Sequence, residues 1–181
     1  MLNSQPQLNK QSGLFHVSEQ PGIQLFEPRP SPSYFPGIKG DVVFAIDASL
    51  LHNYLLPRDC PRVTFYLNAK TSWADNERFM GSTSASHVVV VESGWYQRIV
   101  ETTLYCYQLP ADGFTLLDAC AGYYICYQPV VPTSVTLVTD IIGELLCRNI
   151  ELRFMPSLSQ LANDVSKSSL SFSNIRMRNA Q

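Results

Sequence analysis

The sequence predicts an α+β fold with a mixed, largely antiparallel sheet or sheets and flanking helices. Three observations favour this class. β-Branched and aromatic runs alternate with short segments of helical character, which gives about seven strands and five helices. Four consecutive valines at 88–91 are typical of a strand buried on both faces. No glycine-rich turn follows the first strand, so the fingerprint of a dinucleotide-binding fold is absent.

The first half of the chain opens with residues 1–13, which are rich in Gln, Asn and Ser and lack periodicity. This pattern predicts a disordered tail, followed by a single globular domain over residues 14–181. Asp47 is in position to cap a helix over 48–55, and Ser72 is in position to cap a helix that reaches Met80. The predicted strands, separated by a proline-rich extended stretch that ends at Pro36, are 14–18, 41–46, 63–67 and 87–92.

The second half continues the alternation. A short helix is predicted over 93–100, a strand over 103–108 and extended chain over 122–131. Thr139 is expected to cap a helix that reaches Arg148. A strand at 150–154 and a final helix from Pro156 to near Leu170 complete the prediction.

Composition limits the classes of partner. The chain has 181 residues, is 45% hydrophobic and 15% charged, and carries a net charge of −2. Nucleic acid is not indicated, because a general polyanion binder presents a basic face. Arginine nevertheless outnumbers lysine nine to four. The planar guanidinium suits fixed pairing with phosphate or carboxylate, so a local anion pocket stays open.

The five cysteines form no Cys-x-x-Cys pair, and the three histidines lie in separate segments. We therefore expect neither a metal site nor a redox motif. The sequence shows no signal peptide and no apolar run long enough to span a bilayer. These observations predict a cytoplasmic protein without a membrane partner, and they leave its oligomeric state open.

The first candidate site lies on the opening strand. His16 and Ser18 share a face because strand side chains alternate, and together they could hold one polar ligand such as an amide or a ribose hydroxyl. A histidine hydrogen-bonded inside the core is the equally weighted alternative.

A second candidate is a pair of arginines, Arg58 and Arg62, which flank Asp59-Cys60-Pro61 on a loop before a strand. They could clamp an anion, but a local ion-pair cluster that holds the loop is the favoured alternative. Near the end of the chain, Arg176 lies among apolar residues, which indicates a tail that packs down and delivers an arginine to a defined place.

The third candidate is the segment around Asp118, which precedes small residues and two tyrosines. Asp118 could lie at the floor of a narrow pocket, and a turn or cap role is slightly favoured over that function. Tyr123 and Tyr124 point to opposite faces of an extended chain, so one could stack on a ligand ring while the other packs inside.

Several segments together resemble a bacterial family of unknown function. The resemblance covers about residue 14 to the end of the chain and carries no established activity. The segments are LFHVSEQPGI at 14–23, FEPRP at 26–30, YLLPRDCPRV at 54–63, DACAGYY at 118–124, PVVP at 129–132 and IRMRNA at 175–180.

A more distant resemblance is to ADP-ribosyltransferase-like folds, whose first strand often has the form hydrophobic-His-x-Ser/Thr. His16 and Ser18 match that element. The resemblance implies that they hold the ribose and nicotinamide end of NAD. It also implies a glutamate near 129–132, where this chain has Gln128. An amide supplies no negative charge to a developing cation, so either Asp118 substitutes or the pocket binds without transferring.

The leading hypothesis is therefore a pocket for a nucleotide-like ligand, with NAD or ADP-ribose as the expected ligand. His16 and Asp118 are the candidate catalytic residues. The candidate ligand-binding residues are Ser18, Arg29, Arg58, Arg62, Tyr123, Tyr124, Gln128 and Arg176. Two alternatives stay open. One is a non-catalytic protein-interaction module. The other is a small hydrolase or lyase for a phosphorylated substrate, with His16 as acid or base and Arg58 as the anion clamp.

Overall fold

The computed structural model describes residues 13–31 and 34–181. The predicted tail lies outside these ranges except for Gly13, and its disorder stays a prediction. The described residues cluster in two compact units. Unit 1 comprises the described residues up to Leu51 together with Thr103–Val138, and unit 2 comprises His52–Thr102 and Thr139–Gln181. The expectation of one domain over 14–181 also stays a prediction.

The described part of the chain forms ten strands and four short α-helices. The strands are β1 Leu14–Ser18, β2 Val43–Asp47, β3 Arg62–Tyr66, β4 His87–Glu92, β5 Leu104–Leu109, β6 Thr115–Asp118, β7 Tyr123–Cys126, β8 Ser134–Val138, β9 Ile150–Met155 and β10 Ser171–Ile175. The helices are α1 Trp73–Asp75, α2 Tyr96–Glu101, α3 Ile141–Cys147 and α4 Ser159–Ser166. The mostly antiparallel sheets and the few helices confirm the predicted α+β class.

Unit 1 is built on a six-stranded sheet in the order β6-β7-β2-β1-β5-β8, in which every neighbouring pair is antiparallel. Because side chains alternate along a strand, the sheet has two faces of different composition. We call the face that carries Tyr107 face A. Its core consists of Leu14, Phe26, Val43, Ala45, Tyr107, Leu109, Cys126 and Val130. We call the opposite face, which carries Phe44 and Tyr123, face B.

Unit 2 contains a four-stranded sheet in the order β10-β3-β4-β9. β4 pairs antiparallel with β3 and parallel with β9. The four valines of β4 are fully buried, as the apolar run predicted. On one face of this sheet, the core consists of Val63, Phe65, Phe79, Met80, Val88, Val90, Leu158, Val165 and Leu170.

The helix caps agree with the sequence in two places. Asp47 accepts a hydrogen bond from the Ser49 backbone at the start of a 3-10 helix over Ala48–Asn53. Ser72 accepts one from the Asp75 backbone at the start of α1, which continues as a π-helical turn, Asn76–Met80. The cap predicted at Thr139 is wrong, because Asp140 is the residue that accepts the hydrogen bond from the Gly143 backbone.

The end of the chain differs most from the prediction. The final helix ends at Ser166, and the following residues form β10, which pairs with β3. β6 and β8 were also missed, because each is a short strand at an end of the sheet order with several exposed residues. Extended chain was expected over 122–131, whereas the strand itself covers only Tyr123–Cys126.

Candidate functional site

Seven of the ten predicted site residues lie in unit 1, and they are considered first. His16 is the central one. Its Nδ1 donates a hydrogen bond to the backbone oxygen of Phe44 at 3.0 Å. The recorded β1–β2 pairs are Leu14↔Asp47 and Phe15↔Ile46, so the imidazole binds a β2 carbonyl just beyond them. Because a carbonyl can only accept, this bond places a proton on Nδ1 and fixes the orientation of the ring.

The His16 ring lies on face A. Its register partner on β5 is Tyr107, a member of the face A core, and directly opposite residues share a face. The ring also contacts that of Phe26, with 4.7 Å between centroids. His16 is half-buried, so the imidazole is held from two sides and keeps contact with solvent.

Residues 20–30, which we call the strap, cross face A near His16. The Tyr107 hydroxyl donates to the Gln20 carbonyl at 2.8 Å and accepts from the Ile23 amide at 3.1 Å. Further along, Phe26 pairs through its backbone with Val130. One buried tyrosine and two backbone bridges, at Phe26 and at Arg29, thus fix the strap.

Ser18 shares face A with His16, as the alternation of β1 predicts. Its Oγ accepts a hydrogen bond from the Gln20 amide at 3.0 Å, which starts the strap. Because Oγ accepts in this bond, the hydroxyl proton of Ser18 is not used in it. Ser18 therefore forms a local turn and still has a donor to offer.

Arg29 and Gln128 are both exposed. Arg29 lies on the strap, where its backbone forms a two-bond bridge with Val42. Gln128 follows β7, and its amide donates to Cys126 Sγ. Both side chains extend from fixed backbone positions into solvent. There they could bind a phosphate or a hydroxyl group of a ligand.

Tyr123 and Tyr124 point to opposite faces, as predicted. Tyr124 packs against the core of face A, the face of His16. The ring of Tyr123 lies near those of Phe35 and Phe44 on face B, with centroid distances of 6.0 and 6.3 Å. Only Tyr124 can therefore stack on a ligand that contacts His16.

Asp118 lies apart from His16. Its register partner is Tyr123, beyond a bulge in β6, which places it on face B. β6 and β1 are three strands apart in the sheet, and strands lie about 4.8 Å from their neighbours, so the two residues are about 14 Å apart across the sheet. The Asp118 carboxylate accepts from the amides of Cys120 and Ala121. This is the turn role that the sequence favoured.

The other three predicted residues are arginines of unit 2, and the structure brings all of them to the loop 57–62. Arg62 is only 2% exposed. Its Nε donates to the carbonyl of Asn53, and its Nη1 donates to those of Pro57 and Cys60, at 3.0, 3.2 and 2.7 Å. The guanidinium therefore holds the loop from within. These three partners are backbone carbonyls, and the ion-pair alternative stays a prediction.

Arg176 reaches the same loop from the end of the chain. Its Nε donates to the carbonyl of Arg58, and Asn179 donates to that of Asp59, at 3.1 and 2.7 Å. Arg176 itself adopts a left-handed backbone conformation, with φ of 56°. The predicted packing of this tail is confirmed. The side chain of Arg58, on the same loop, is exposed.

A comparison with known protein families matches nearly all of the described chain. The model of a family of unknown function (DUF6886) matches residues 15–180. The chain belongs to this family. Neither a curated protein nor a solved structure matches it.

Sequence reasoning missed a polar cluster in this member of DUF6886. In unit 2, the rings of His52 and His87 lie 4.3 Å apart, and the ring of Tyr66 lies 4.4 Å from that of His87. Burial lowers the pKa of His87 below its ordinary value of 6.5. The available signal was the position of each histidine, since His52 interrupts an apolar run and His87 directly precedes the four valines.

Glu92 is a second missed residue. It ends the valine strand, is 2% exposed and accepts from the amides of Leu158 and Gln181 at 3.2 and 2.9 Å. No described residue hydrogen-bonds its second oxygen. The carboxylate joins the start of α4 to the last residue, which is a structural role.

The remaining reactive side chains of the described residues are potential metal ligands and thiols. Within residues 13–31 and 34–181, no three His, Cys, Asp or Glu side chains are grouped to hold a metal ion. All five cysteines are free thiols. Burial raises the pKa of Cys60 to about 12, with a smaller upward effect from Glu92 and an opposing effect from Arg62. No described helix has the length and apolar character that a membrane span requires.

Proposed function

We propose that unit 1 binds a nucleotide-like ligand, with NAD or ADP-ribose as the ligand class, on face A beside His16. The observation that carries the proposal is the fixed, half-exposed imidazole under the strap. Its Nδ1 is committed to a backbone carbonyl, so the ring presents a defined edge rather than a freely rotating group. Such preorganisation lowers the entropic cost of binding.

The neighbouring groups fit such a ligand. Ser18 retains a hydroxyl donor, and Tyr124 offers a ring on the same face. Arg29 and Gln128 are exposed, and a guanidinium pairs well with phosphate oxygens. An ADP-ribosyltransferase-like architecture is part of this proposal and rests on the pattern of β1. A cytoplasmic location is also proposed, and the five free thiols support it.

We propose binding rather than group transfer. An oxocarbenium-like transition state requires a carboxylate close to the reacting carbon. Asp118 lies on face B and is engaged in its own turn, whereas His16 lies on face A. Gln128 supplies no charge. The pair His16 and Asp118 therefore cannot act on one atom, and the geometry favours a reader of nucleotides over an enzyme.

Calorimetry with ADP-ribose, NAD and AMP tests this proposal. His16→Gln removes the imidazole that is proposed to form one hydrogen bond with the ligand. We therefore expect affinity for ADP-ribose to fall about tenfold. His87→Gln, which removes a histidine of unit 2, is the matched control and should bind like the wild type. Nicotinamide release from NAD should be undetectable. The absence of binding at millimolar ligand, or equal affinity of His16→Gln and wild type, would refute the proposal.

One observation favours a second candidate, the protein-interaction module. β8 is the last strand in its sheet order, contains no charged residue and exposes Val135 and Leu137 by 52% and 50%. An uncharged edge strand can pair with a strand of another protein. Light scattering tests for self-association, which Leu137→Lys should abolish. The hydrolase or lyase alternative, with His16 of unit 1 and Arg58 of unit 2, stays a prediction.

A further inference from the structure

We propose that Phe35, Phe44 and Tyr123, together with Asp118, form a site for a small organic cation of the quaternary ammonium class on face B of unit 1. We call the three rings the aromatic triangle. The site is separate from the proposed nucleotide site, because it lies on the opposite face of the sheet from His16. It does not depend on that proposal.

The geometry of the rings is the first argument. The three centroid distances are 6.1, 6.0 and 6.3 Å, so the rings form a nearly equilateral triangle. The interplanar angles of 50°, 89° and 78° exclude parallel stacking. A cation about 3 Å above the plane of the centroids would lie about 4.6 Å from each, which meets the ~6 Å distance criterion for attraction to those rings that present a face to it.

The rings are also held by separate elements. Phe44 lies on β2 and Tyr123 on β7, whereas Phe35 belongs to the segment that precedes β2. All three residues are partly exposed. A ligand can therefore reach the triangle. The sheet fixes the positions of Phe44 and Tyr123.

Charge supplies the second argument. Asp118 is the register partner of Tyr123 and shares face B with it. Its Oδ1 accepts two backbone amides, which fixes the carboxylate next to the Tyr123 corner of the triangle. Aromatic faces carry partial negative charge, and a carboxylate adds a full negative charge next to them. Together these groups favour a cation over a neutral ligand of the same shape.

An NMR titration with choline as the probe tests the proposal, and its neutral isostere 3,3-dimethyl-1-butanol is the ligand control. We expect choline to shift the ring signals of the aromatic triangle and the Asp118 amide, and to bind at least several-fold more tightly than the isostere. Tyr123→Leu and Phe35→Leu keep apolar bulk and remove a ring. Each should weaken choline binding about two- to fivefold, the loss expected for one exposed cation–π contact.

Two further variants separate charge from packing. Asp118→Asn keeps an oxygen for the turn and removes the charge, so it should weaken choline binding and leave the isostere unaffected. Tyr105→Leu, a half-buried tyrosine on face A, is the matched control and should bind choline normally. Circular dichroism establishes that each variant is folded. Equal affinity for choline and its isostere, or unchanged choline binding in Phe35→Leu and Tyr123→Leu, would overturn the proposal.

Discussion

Replacement of Arg62 by methionine should destabilise unit 2 strongly. The side chain is almost fully buried and donates three hydrogen bonds to carbonyls of residues 53–60. A hydrogen bond from a charged donor contributes about 1.5–3 kcal/mol, and a buried carbonyl left without a partner costs about 1–3 kcal/mol. Methionine keeps the apolar contacts of the stem and offsets part of the loss. We expect the free energy of unfolding to fall by about 3–5 kcal/mol.

Urea unfolding followed by tryptophan fluorescence measures this loss, because Trp73 and Trp95 both lie in unit 2. Arg62→Lys keeps the charge but not the planar set of donors, so an intermediate loss is expected. Arg58→Met is the matched control. It removes an exposed arginine from the same loop and should change stability by less than about 1 kcal/mol. Equal stability of Arg62→Met and wild type would show that the carbonyls find other partners, and the reasoning would be wrong.

Three further predictions concern single side chains. Burial lowers the pKa of His87 below 6.5, so on acidification the unfolded state binds a proton before the folded state does. The free energy of unfolding should therefore fall between about pH 7.5 and pH 5. Thermal melts of His87→Gln should show a weaker dependence of stability on pH. Cys120 and Cys147 are exposed and the other three cysteines are buried, so a maleimide should label two thiols in the native protein and five in denaturant, as counted by mass spectrometry. Asp118→Ala removes the acceptor for two turn amides and should lower the free energy of unfolding by about 1 kcal/mol, whereas Asp118→Asn should lose less.

The sequence predicted those elements best whose own residues decide their structure. The four valines of β4 cannot be exposed without a large hydrophobic cost, so their burial followed from composition alone. Ser72 and Asp47 cap through bonds to residues within three positions. β10 depends instead on pairing with β3, and its run Ser-Phe-Ser-Asn-Ile has few β-branched residues, so only the long-range partner reveals it.

The candidate site was predictable in part for the same reason. Alternation along a strand correctly placed His16 with Ser18, and Tyr123 opposite Tyr124. The separation of Asp118 from His16 depends on strand order and on the bulge in β6, neither of which leaves a local signal. The role of Arg62 depends on where three backbone carbonyls converge, which only the folded loop determines.

The two faces of unit 1 allow the two binding proposals to be tested against each other. Neighbouring residues on β2 and β7 point to opposite faces, so Ala45 and Tyr124 lie by His16 while Phe44 and Tyr123 belong to the aromatic triangle. A ligand on one face touches none of the side chains that define the other site. Choline and ADP-ribose should therefore bind together without competition, and each should leave the affinity for the other unchanged. Competition between them would mean that at least one ligand has been placed on the wrong face.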